Sequence, residues 1–170
     1  VSASQVEMQS GLQFYDGMTT DEIQQILIKS AADLISLETP NYQYVAARLL
    51  LYSLRKQVID KLWDHPHIYD HTKKCIEKGV YDPEILNLYE RKDFDRMENW
   101  INHNRDYDFT YAGLRQVIDK YLVQDRSSGE VYETPQFMYM LISATLFAKY
   151  PKDKRMSYVK KYYDAISQFK

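Results

Sequence analysis

Four residues with metal-binding side chains fall in one short stretch: His65, His67, His71 and Cys75. With Ile68 to Lys78 helical, His71 and Cys75 lie four apart on one face, and imidazole with thiolate suits zinc. The other reading is a loop kinked at Pro66, with surface histidines and one buried thiol. The second is favoured, because the spacing matches no closed four-ligand pattern. As a nucleophile, Cys75 needs a lowered pKa and an orienting base. His71 is near in sequence, but nothing supplies a third member or an oxyanion hole. Asp106 and Asp108 form a close acidic pair beside Arg105, ahead of a helix, and read as a solvated cap rather than paired catalytic carboxylates. Gly11, Gly17, Gly79, Gly113 and Gly129 are too far apart to build a phosphate loop. An anion site has one other candidate: Thr19, Thr20 and the free N–H groups opening a helix. Plain helix capping is the competing reading. Lys56 would lie near that point if its helix is an antiparallel neighbour, and is otherwise a solvated charge.

The elements that must position these residues are read from periodicity. The chain has 170 residues, enough for one domain or one and a half, and its 45% apolar content is ordinary for a globular protein. Sixteen Tyr against five Gly place many helix seams close to the surface, since tyrosine buries a ring and keeps a wet tip. A net charge of -2 gives no field to draw nucleic acid or an anionic membrane. One Cys excludes an internal disulfide and fits a reducing cytosol. The N-terminus shows no basic-then-apolar signal pattern.

Val1 to Phe14 reads as a helix capped at Ser4, with Val6, Met8, Leu12 and Phe14 on its apolar side. Thr19 with Glu22 three residues later forms a capping box, and Ile23, Ile26, Leu27, Ala31, Leu34 and Ile35 follow at helical spacing. A third helix spans Asn41 to Trp63, with Val45, Leu49, Tyr52 and Leu54 inward and Arg48, Arg55, Lys56 and Lys61 outward. Shorter helices follow at Ile68 to Lys78, ended by Gly79, from Asp82-Pro83 through Leu86 to Tyr89, at Asp93 to Ile101, and after a Thr110 cap to Tyr121. Two short apolar runs around a polar, Gly-containing turn predict a β-hairpin at 121–133.

Thr134 as N-cap and Pro135 at the first helical position then open an uncharged helix through Ala148. At about 21 Å it is too short for a membrane span, which needs about 20 apolar residues. With apolar side chains on nearly every face it should be surrounded by other elements. The last helix turns Met156, Val159, Tyr163, Ile166 and Phe169 inward and Lys154, Arg155, Lys160 and Lys161 outward. The predicted class is mainly α, a multi-helix orthogonal packing with one small β-hairpin.

Longer motifs carry a resemblance. Phe14-Tyr-Asp-Gly-Met-Thr-Thr-Asp-Glu-Ile23, Tyr42-Gln-Tyr-Val-Ala-Ala-Arg-Leu49, His103-Asn-Arg-Asp106, Lys120-Tyr-Leu-Val-Gln124, Gly129 to Phe137 and Tyr158-Val-Lys-Lys-Tyr-Tyr-Asp-Ala165 resemble, in order and over the whole chain, the N-terminal part of the large subunit of class I ribonucleoside-diphosphate reductase. The resemblance implies that residues 1–63 are the later helices of an ATP cone and 64–170 the helical domain that precedes the ten-stranded catalytic barrel. It carries Thr20 and Lys56 onto cone positions that contact the allosteric ATP or dATP. Gln24 and Ser53 stand where some relatives place histidines near the effector, a departure that bears on dATP inhibition.

The resemblance further implies a thioredoxin- or glutaredoxin-dependent oxidoreductase making deoxyribonucleotides in the cytoplasm. Its partners would be the catalytic barrel, the small radical-generating subunit and allosteric nucleotides. No catalytic residue, no metal and no cofactor of its own are expected in this chain: the cone's opening strands would precede Val1 and the barrel with its redox and radical cysteines would follow Lys170, so the chain alone should be inactive. The alternative is an autonomous helical interaction module without nucleotide binding.

Overall fold

A computed structural model describes residues 1–60 and 64–169. The helices are α1 (Ala3–Gly11), α2 (Thr20–Asp33), α3 (Tyr42–Ile59), α4 (Ile68–Glu77), α5 (Glu84–Leu88), α6 (Arg91–Trp100), α7 (Tyr111–Lys120), α8 (Pro135–Phe147) and α9 (Lys152–Ser167), with a 3-10 turn at His103–Asp108 between α6 and α7. The class is mainly α. The predicted end of the third helix, Lys61 to Trp63, lies outside the described residues.

Local chemistry explains most boundaries. In α2 the Thr19 hydroxyl accepts the Glu22 N–H at 3.2 Å and the Glu22 carboxylate accepts the Thr19 N–H at 2.8 Å, closing the capping box. Thr110 caps α7 by accepting the Gly113 N–H. Gly79, at φ +74°, takes the left-handed conformation that ends α4. Thr134 holds the N-cap position of α8 in an extended conformation, but its hydroxyl makes no capping bond; Pro135 opens the helix without it.

The hairpin expected at 121–133 is reduced, among the described residues, to one isolated antiparallel bridge, Gln124 with Val131. Two backbone bonds cross between the arms, from the Tyr132 N–H to the Val123 carbonyl at 2.9 Å and from the Asp125 N–H to the Glu130 carbonyl at 2.8 Å, and side chains take others. The Glu133 carboxylate accepts the Val123 N–H at 2.8 Å, and Asp125 Oδ1 accepts both the N–H and the hydroxyl of Ser127.

Three apolar clusters hold the helices. One joins Val6 of α1 to Ala31, Tyr42 and Ala46. A second joins Ile28 of α2 and Leu50, Leu51 and Leu54 of α3 to Leu114 and Val117 of α7 and Met138 of α8. The third gathers Ile68, Phe94, Phe137, Met140, Leu141, Ala144, Val159 and Tyr163. α8 contributes to the last two, so it is central as predicted, although not buried all round: Ile142 and Leu146 are exposed. The apolar side expected for α1 is also smaller. Val6 is buried against Ala31 of α2 and Tyr42 and Ala46 of α3, while Met8 and Leu12 face solvent.

The larger corrections concern charge. Arg55 and Arg155, expected on exposed faces, are buried, and Asp106, expected in a solvated cap, is 1% exposed. Arg55 pairs with Asp106 at 3.2 Å and also donates to the His103 carbonyl and the Tyr107 hydroxyl. Asp106 accepts a further bond from Gln136, whose carbonyl accepts from the Tyr163 hydroxyl. This polar chain ties α3, the 3-10 turn, α8 and α9 together, which is how buried charge becomes tolerable. Arg155 lies 3.5 Å from Asp93 and 4.2 Å from the Tyr89 ring centroid.

Candidate functional site

The anion-type candidates converge. The start of α2 and the C-terminal half of α3 line one cleft of about 490 Å³, walled by Thr20, Gln24, Ser53 and Lys56 among others. α2 delivers Thr20 because the capping box fixes its first turn. α3 delivers Lys56 because Leu50, Leu51 and Leu54 are drawn into the core and leave Tyr52, Ser53 and Lys56 on the cleft side. Asp60, at φ +55°, ends α3 at the cleft margin.

Lys56 Nζ lies 3.0 Å from Asp21 Oδ1, and both side chains are largely exposed. The pair holds an ammonium directly over the first turn of α2. A helix N-terminus and a lysine together suit an anion. Asp21 and Glu22, both acidic and both in that turn, oppose one, and the Lys56 contact offsets the charge of Asp21. Glu22 is committed to the cap, and its bonds to Thr19 hold its carboxyl below the usual range. Gln24 is committed as well, donating to the Leu49 carbonyl at 2.8 Å, so it braces α2 on α3.

The histidine and cysteine candidates do not converge. His67 accepts the Tyr69 N–H and lies 3.2 Å from Asp95. His65 stacks on His103 at 3.5 Å, and His71 stacks on Phe137 at 4.5 Å. Only His71 approaches Cys75, Nε2 to Sγ 3.6 Å. Burial lowers the pKa of His65 and His71 to about 4 and that of His103 to about 3, so all three imidazoles are neutral at pH 7. The Cys75 thiol contacts the Tyr132 carbonyl, and burial followed by the nearby Glu133 pushes its pKa up to about 11, the reverse of what a nucleophile needs. Asp106, held by Arg55 and Gln136 in the core, opens onto no substrate, and burial raises its pKa to about 6.

Sequence reasoning missed the Arg55–Asp106–Gln136–Tyr163 chain and the burial of Glu133. The available signal for the first was Gln136, a lone polar residue in an otherwise apolar helix, which needs partners when buried. Among the described residues, no helix is long and apolar enough to cross a membrane.

Comparison with known proteins bears on both halves of the chain. Residues 2–57 match the family model of the ATP cone domain. Residues 107–170 match the model described as ribonucleotide reductase, all-alpha domain. The chain is 51% identical over all of its 170 residues to the ribonucleoside-diphosphate reductase subunit alpha of Haemophilus influenzae, covering 22% of that protein. It is 49% identical to ribonucleoside-diphosphate reductase 1 subunit alpha of Escherichia coli over the same span, again 22% of its length. A subunit alpha from Enterobacteria phage T4 is 47% identical over 89% of the chain and 20% of its own length. The chain thus spans about a fifth of these relatives.

Proposed function

From a chain that belongs to the N-terminal region of ribonucleoside-diphosphate reductase large subunits, an ATP cone joined to the all-alpha domain, we propose an allosteric and scaffolding role. Residues 1–63 act as the effector-sensing part and 64–170 as the helical support between it and a catalytic barrel. The effectors are ATP and dATP. Thr20, at the first turn of α2, and the Lys56 ammonium receive the phosphates, while the cleft behind them receives the nucleoside. One observation supports this most: Thr20 and Lys56, from different helices, wall the same cleft of about 490 Å³.

Reduction of ribonucleoside diphosphates, with the small radical-generating subunit and a thioredoxin or glutaredoxin reductant in the cytoplasm, belongs to the whole enzyme. This chain performs none of it alone, because its one cysteine is buried and held as a thiol, with no second thiol for disulfide exchange. The test is the effector response of the complete enzyme. Thr20→Ala with Lys56→Ala in the large subunit should blunt the response to both nucleotides and leave the rate without effector unchanged. A variant that responds to ATP and dATP as the unmodified enzyme does would leave the reading of an interaction module without nucleotide binding.

A further inference from the structure

The buried carboxylates fall into two kinds. Asp106 and Asp93 each face a buried arginine, Arg55 and Arg155. Glu133 is as deeply buried, at 3% exposure, and no cation contacts it among the described residues. Its partners are neutral donors: the Tyr81 hydroxyl on one oxygen and the Val123 N–H, at 2.8 Å, on the other. A carboxylate removed from water without a countercharge is costly to ionise. Burial accordingly raises its pKa against the pull of both donors.

Glu133 also lines an open pocket of about 390 Å³, bounded by α8, the α4–α5 connection and the 121–133 turn. The rest of the wall is mostly apolar, with Ile85, Met138, Leu141, Ile142 and Leu146 prominent. The second carboxylate in the lining is that of Asp82, and the lining holds no Lys, Arg or His. The volume is within the range of small-molecule sites, which combine apolar walls with a few placed polar groups. Charge and shape therefore specify complementary parts of one ligand. An anion would meet two carboxylates. A neutral apolar molecule would leave the buried Glu133 carboxyl without a countercharge. A cation with an apolar body satisfies both.

We propose that this pocket binds a small organic cation, a primary ammonium on an apolar body of about six carbons. The ammonium sits against Glu133, which has lone pairs beyond those used by Tyr81 and Val123. The apolar part lies along Met138, Leu141, Ile142 and Leu146. The exposed side chains of Ile142 and Leu146, with Thr145 exposed between them on the same side of α8, form the mouth. The site is distinct from the α2–α3 cleft and shares no lining residue with it.

The whole chain, labelled with 13C at the methionine methyls, is titrated at pH 7 with n-hexylammonium chloride, 1-hexanol and sodium hexanoate. Met138 is the methionine that lines the pocket. Hexylammonium should move the Met138 methyl resonance and bind about tenfold tighter than hexanol, with hexanoate weakest, as a charge-assisted hydrogen bond adds to the shared apolar contact. In Glu133→Gln the ammonium should fall to the affinity of the alcohol while the alcohol is unaffected. Leu146→Trp narrows the mouth from an exposed position and should weaken hexylammonium, a control that serves if Glu133→Gln does not fold. Equal binding of ammonium and alcohol to the unmodified chain overturns the proposal. So do shifts confined to other methionines, or no binding of hexylammonium at millimolar concentration.

Discussion

Lys56 has two calls on its charge. In the free chain it contacts Asp21 at 3.0 Å, and in the proposed complex it contacts phosphate. An exposed pair of this kind contributes at most about 1 kcal/mol. Asp21→Asn should therefore tighten nucleotide binding by up to about fivefold, by freeing the ammonium and removing an acidic group from the anion's end of α2. Isothermal titration of the variant subunit reads this directly, and weaker binding would contradict it. His71 gives a second residue-scale expectation. Its folded-state pKa, about 4, lies below the unfolded value near 6.5, so unfolding takes up a proton between these pH values. Stability from a neutral His71 is present above pH 6.5 and is lost as pH falls towards 4. His71→Leu should remove about 1.4 kcal/mol per pH unit from the slope of stability between pH 6 and about 4.5, measured by urea unfolding. At this scale the sequence is least legible. Thr20 and Lys56 were anion-site candidates from the helix-start signal, and only the resemblance set them above plain capping and a solvated charge. Arg55 and Asp106 were misread because a charge on an amphipathic helix looks solvated until its partner, 51 positions away, is brought beside it.

Elements were legible wherever their signals are local. The Thr19–Glu22 box, the Thr110 cap and Gly79 act within one turn and appear in the structure as read. The apolar run of α8 announced its central place, but its exposed Ile142 and Leu146 could not be told from its buried neighbours, since no periodicity distinguishes faces that are all apolar. The hairpin stays at one antiparallel bridge for a related reason: whether Val123 donates to a backbone carbonyl or to the Glu133 side chain is decided by tertiary position. Leu141, 8% exposed in the cluster shared with Phe137 and Val159, tests the role of α8. Leu141→Ala should cost about 2–5 kcal/mol, as buried leucine truncations do, with a matching fall in the thermal midpoint. A loss below 1 kcal/mol would mean that α8 is not the structural centre described.

For the molecule as a whole, the cluster of Ile28, Leu50, Leu54, Leu114, Val117 and Met138 crosses the boundary proposed at 63–64. The Arg55–Asp106–Gln136 chain crosses it as well. The effector-sensing part and the helical support should therefore unfold together, in one urea transition that far-ultraviolet circular dichroism and tyrosine fluorescence report at the same midpoint. Two separated midpoints would contradict this coupling. In the proposed role, a nucleotide in the α2–α3 cleft would act on helices that share this apolar cluster with α7 and α8. Affinity of the large subunit for ATP, with and without Lys56→Ala, tests the central claim most directly. The account expects the variant to bind at least about tenfold more weakly, the scale of a lost phosphate contact. Unchanged affinity would contradict it and remove the α2–α3 cleft as the effector site.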